Sequence, residues 1–200
     1  MKSSALLIAS LATTNAHVGF GKCPTPSLIN NMNTDAFQGN WYEVQRDAFF
    51  PFEQGTECVT MEATTRENDG NIRLNTAFWS APMAFQYMSA MGTMSDCGAD
   101  PSVATCQFQM DDIPEAKGAF SFIEFDAGSH FVQYYCSEMV GEAMYMDFVW
   151  IMGRNQDLAA DESALASIHE SIKAKLPDYD LSWAAMHNTR HYDCKSPWIW

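Results

Sequence analysis

The stretch that decides the fold is Gly39-Asn40-Trp41-Tyr42-Glu43-Val44-Gln45-Arg46. A glycine, two aromatics and alternating character over eight residues read as a strand that opens a sheet. The six residues before it, Asn33-Thr34-Asp35-Ala36-Phe37-Gln38, are too few for an ordinary helix but suit one capped helical turn.

Downstream, period-two alternation recurs. Val59, Met61 and Ala63 alternate with Thr60, Glu62 and Thr64, the pattern of a half-buried strand. Asp69-Gly70 marks a hairpin turn, since this pair supplies positive φ cheaply. Its return strand, Ile72 to Trp79, places Leu74, Thr76 and Phe78 on one face. Further strands are expected over Phe85 to Met94, Cys106 to Met110, Ala119 to Phe125, Phe131 to Cys136 and Met144 to Met152. The period then changes. Leu165, Ile168, Ile172 and Leu176 recur at helical spacing, with acids before them, lysines near the end and Pro177 as the stop. Such a one-sided apolar stripe lies against a sheet. A short extended stretch over about Trp183 to His191 leads to Cys194. The expectation is an all-β, eight-stranded antiparallel up-and-down barrel with one C-terminal α-helix packed outside.

The 200 residues suit one domain. Met1-Lys2, an apolar run from Ala5 to Ala12 and then Thr14-Asn15-Ala16 form a signal-peptide pattern, so residues 1–16 are expected to be removed and 17–200 to form the domain. The mature protein is expected to be secreted, extracellular and soluble. Six cysteines fit three disulfides in an oxidising compartment, and spacing alone leaves fifteen connectivities. Cys97 and Cys106 are close enough to staple a loop. The net charge of −14 argues against nucleic acid and anionic membranes as partners. No G-x-S-x-G or H-E-x-x-H setting surrounds the five histidines, and no metal or cofactor is expected.

Gly39-x-Trp41-Tyr42 with the turn before it, Asp126 at the end of a strand, and Phe148-Val149-Trp150-Ile151-Met152-Gly153-Arg154 followed by a helix together resemble the three motifs of the lipocalins, in order. Gly21-Lys22-Cys23-Pro24 is similar to the segment preceding the first strand in apolipoprotein D-like members. Phe125 and Ala127 depart from the Thr and Tyr usual around that aspartate.

The resemblance implies that Arg154 closes the barrel floor over Trp41, a structural role, and that the disulfides run Cys23–Cys136 and Cys58–Cys194, leaving Cys97–Cys106 as an extra staple. It also implies an inward register, and with it a ligand-binding wall of Val59, Met61, Ala63, Leu74, Thr76, Phe78, Phe120, Phe122, Glu124, Phe131, Gln133, Tyr135, Met146, Phe148 and Trp150. The expected function is binding and transport of a small hydrophobic ligand such as a fatty acid, sterol or retinoid. The alternatives are a lipocalin-fold enzyme acting on a lipid or carotenoid, or a secreted protein-binding module. Phe49, Phe50 and Phe52, in the loop after the first strand, are expected at the barrel mouth, where they gate entry or touch a lipid surface transiently. The molecule is expected to be a monomer or weak dimer.

Overall fold

The computed structural model describes residues 18–30, 32–83, 86–97, 104–113, 117–182 and 184–194. The expected leader and its cleavage point lie outside them. Eight antiparallel strands form the barrel: β2 (Gly39–Asp47), β3 (Thr56–Thr65), β4 (Ile72–Ser80), β5 (Gln86–Ser95), β6 (Thr105–Met110), β7 (Lys117–Asp126), β8 (His130–Met139) and β9 (Met144–Gly153). Each pairs with the next in sequence, and β9 pairs with β2 to close the sheet. Two three-residue strands flank it. β1 (Val18–Phe20) pairs with β9, and β10 (Met186–Asn188) pairs with the end of β2.

The turn α1 (Thr34–Phe37) is capped as the sequence demands, the Asn33 side chain accepting from the Ala36 amide. It hands over to β2 at Gly39, whose φ of +98° suits glycine. A Cβ there would also stand 3.2 Å from the Arg154 guanidinium. Gly92 has a different reason to be small. It stays within β5, and a Cβ on it would meet the Phe108 ring at 2.4 Å.

The helix α2 (Glu162–Lys175) starts at Asp161, whose carboxylate accepts the amides of Ser163 and Ala164. Its Leu165, Ile168 and Ile172 cover the outer barrel face of Val44, Ile123, Val132, Val149 and Ile151. Two separate apolar clusters result, one inside the barrel and one between barrel and helix. The disulfides are Cys23–Cys136, Cys58–Cys194 and Cys97–Cys106, with Cα atoms 6.0, 5.7 and 4.2 Å apart.

Candidate functional site

The barrel interior is built in two levels. At the closed end Trp41 is fully buried, and its indole N–H donates to the Phe37 carbonyl at 2.7 Å. Phe131 meets it edge-on at 4.7 Å between centroids, and Phe37, Phe122 and Phe131 contact one another. Arg154 lies 3.5 Å from the Trp41 ring centroid and donates to the carbonyls of Ala36, Asn40 and Ala127. One guanidinium therefore ties α1, β2 and the β7–β8 turn together under an indole. Met61, Ala63, Leu74, Phe122 and Phe131 belong to the same buried cluster. They form the packed lower part of the barrel.

Towards the open end the rings change partners. Phe120 contacts Tyr135 and Trp150, and Phe148 lies beside Trp150. Phe108 joins Phe120 edge-on at 5.0 Å. Strand register sets this chamber: Phe120 pairs with Tyr135, Tyr135 with Phe148 and Gln133 with Trp150, so one face carries them all. Met146 continues that face along β9, and Thr76 and Phe78 continue it along β4, whose pairing with β5 has no irregularity. Val59 is buried beside a bulge at Cys58, a residue with φ of +56°.

Glu124 is the misplaced residue of the expected wall. Alternation from Phe120 and Phe122 puts it inside. A bulge between Phe122 and Glu124 inserts Ile123, and Glu124 then pairs with Val132 on the outer face. There it stands 3.4 Å from His130 Nε2, near Ser171 and Lys175. Burial pushes its pKa up, but the polar side chains of His130 and Ser171 and the Lys175 ammonium around it outweigh this and hold it below the usual value. Glu124 is thus a strut beneath α2. Glu124→Gln is expected to leave ligand affinity unchanged and to lower stability near pH 7. Because its folded pKa is depressed, that contribution is present above the unfolded value and is lost as pH falls through the folded one. Urea unfolding at pH 7 and pH 3 checks this.

Phe50, in the loop after β2, turns inward and packs edge-on against Trp150 at 4.8 Å and Phe148 at 5.0 Å, covering the chamber. Phe49 and Phe52 remain outside, 45% and 77% exposed.

The chamber is less apolar than the sequence implied. A bulge between Glu43 and Gln45 leaves Val44 and Gln45 outside and turns Glu43 and Arg46 to the side of Met152 and Trp150. Glu43 is 1% exposed and Arg46 2%. Arg46 Nη1 donates to Glu43 Oε1 at 2.5 Å and to Thr189 Oγ1 at 3.2 Å, while Nη2 donates to the carbonyls of Glu53 and Thr56 at 2.8 and 2.9 Å. The loop after β2 is thereby held down by its own strand. Glu53, in a 3-10 turn over Pro51–Glu53, accepts the Trp150 indole N–H at 2.9 Å. Sequence alone offered no signal for this cluster beyond three charged residues in a first strand and loop, because Thr189 joins it from 143 positions away.

Burial, then the Glu43 charge, push the Glu53 pKa up to about 8, against the pull of Arg46 and the Trp150 hydrogen bond. A folded value raised above the unfolded 4.5 means that the folded state holds the extra proton, so stability falls as pH rises between these limits. Glu53→Gln is expected to stabilise the protein at pH 8 and to make no difference below about pH 4.5, as read by urea unfolding.

The other expected chemistries meet plain geometry. All six cysteines are in disulfides, which leaves no thiol nucleophile. His187 faces Glu57 at 3.2 Å, whereas His191 Nε2 contacts the Glu43 carbonyl at 2.6 Å, so the two do not converge. No helix among the described residues is long and apolar enough to cross a membrane.

A closed eight-stranded barrel, a Trp–Arg floor and a C-terminal helix on its outer wall make up the lipocalin fold. In sequence the chain is similar to apolipoprotein D. It is 26% identical over 196 residues to apolipoprotein D of the rat, Rattus norvegicus, which covers 90% of the chain and 100% of the relative. Among solved structures, insecticyanin from the tobacco hornworm, Manduca sexta, superposes with a TM-score of 0.68 over 88% of the chain and 89% of its own, at 13% identity. Lobster apocrustacyanin A1 does so with a TM-score of 0.67 over 86% and 90%, at 15% identity. No family model matches the chain.

Proposed function

We propose that this protein is a secreted carrier that holds a small hydrophobic ligand in the upper barrel, and that it is not an enzyme. The observation that carries the reading is the inward face shared by Phe120, Tyr135, Phe148, Trp150 and Met146, roofed by Phe50. Aromatic and Met walls bury ligand area while few polar groups orient it. The ligand-contact set is Val59, Thr76, Phe78, Phe120, Gln133, Tyr135, Met146, Phe148 and Trp150, with the packed lower residues as its base. Three disulfides suit an extracellular setting. Titration with a fluorescent fatty acid or retinoid, read by tryptophan quenching, is expected to saturate; a linear, unsaturable response opposes the reading.

Transient contact with lipid surfaces, by a monomer or weak dimer, belongs to the same proposal. Phe20, Phe49, Phe52, Met83, Ile113 and Val140 are exposed, and all belong to the end of the barrel where β2 finishes and β9 begins. An acidic protein touches such a surface through apolar tips rather than charge. Phe52→Ser is expected to slow ligand transfer from zwitterionic vesicles several-fold; an unchanged rate at all vesicle concentrations opposes it.

A further inference from the structure

We infer that the mouth of the barrel receives the head of a cationic amphiphile, a protonated amine on an aromatic or alkyl body, with Glu53 as its counter-ion. The inference deepens the carrier reading and rests on it.

The first support is placement. Through its hydrogen bond to Trp150, the Glu53 carboxyl sits at the edge of a group of rings in which Trp150 contacts Phe50, Phe120 and Phe148. Ring faces attract cations, and an acid beside them completes a recognition site for an ammonium. The Glu53 side chain is 26% exposed, so solvent and ligand reach it.

The second is charge. Two carboxyls, Glu43 and Glu53, share this part of the barrel with one guanidinium. Arg46 is committed: both η nitrogens are taken by Glu43, Thr189 and two carbonyls, and its Nε stands 3.8 Å from Glu53 Oε2, beyond hydrogen-bond reach. Glu53 Oε1 makes no hydrogen bond among the described residues. The neighbouring acid Glu57 already accepts the Arg190 amide and faces His187, and His191 is turned to the Glu43 carbonyl. Glu53 is therefore the carboxyl with no hydrogen bond from a cation: it shares Arg46 with Glu43 and holds it only at ion-pair distance.

The third is the proton. Burial and the Glu43 charge push the Glu53 pKa up to about 8, which favours the protonated carboxyl in the empty protein. An ammonium beside it favours the ionised form, so the proton leaves to solvent as the amine enters. One cation replaces one proton, and the buried charge stays balanced. An anionic head would gain no such exchange, and the net charge of −14 steers cations in and anions away.

The test is calorimetric titration of the full mature chain at pH 7 with phenethylamine and with 3-phenylpropionate, in phosphate and in Tris, beside a fluorescence titration with uncharged Nile red. The amine is expected to bind at least about tenfold more tightly than the carboxylate. It should release up to roughly one proton, seen as a difference in heat between the buffers. Glu53→Gln, which can still accept from Trp150, is expected to abolish both the preference and the proton release. Nile red binding without an amine preference or proton release in the unaltered protein overturns this inference and leaves the carrier reading standing. Failure of all three probes overturns both.

Discussion

Replacing Trp41 with alanine is expected to cost about 3–5 kcal/mol of stability, the range for deleting a large buried aromatic. The side chain is completely buried, and three kinds of contact end with it: the edge-on Phe131 ring, the hydrogen bond to Phe37, and the guanidinium of Arg154. Arg154→Ala removes the last of these from the other side, together with three carbonyl hydrogen bonds, and is expected to cost about 2–3 kcal/mol. Since each substitution destroys the contact between them, the double variant should lose less than the sum. Urea unfolding of the four proteins measures this. Unchanged stability in either single variant would contradict the floor described above.

The second large effect is expected at Cys58–Cys194. The bridge joins residues 136 positions apart, and chain-entropy reasoning gives such a closure about 4–5 kcal/mol, against about 3 for Cys97–Cys106 at a separation of 9. It also anchors the segment that lays β10 on β2 and delivers Thr189 to Glu43 and Arg46. The paired Cys58→Ser, Cys194→Ser variant should therefore be destabilised more than the Cys97→Ser, Cys106→Ser variant. It should also expose the Arg46 region to faster amide exchange than the rest of β2. Equal losses and uniform exchange would show that the tail is held by its hydrogen bonds alone.

Much of this fold is legible because period-two alternation is a direct consequence of strand geometry, and hairpin turns such as Asp69-Gly70 punctuate it. The elements from β2 to β9 follow from it, and α2 follows from the helical spacing of Leu165, Ile168, Ile172 and Leu176. What alternation cannot carry is an extra residue. The bulge at Ile123 reverses Glu124, and the bulge at Val44 puts Glu43 and Arg46 on one side of the strand although they are three apart. β1 is invisible for another reason: Val18-Gly19-Phe20 is too short to show a period, and it exists because β9 offers an edge. The inward set rests on strand parity in the register that the resemblance implies, and parity does not tell a packed base from an open wall. Phe122 and Phe131 are therefore assigned to the packing around Trp41, and Phe120 and Trp150 to the chamber above it.

The central claim is that the upper barrel carries one hydrophobic ligand, and the direct measurement is a stoichiometric titration of the mature protein with an uncharged fluorescent hydrophobe. The account predicts saturation at one ligand per chain, with quenching of Trp150 fluorescence that disappears in a Trp150→Phe variant still able to bind. Absence of saturable binding, or quenching that survives in that variant, would contradict it.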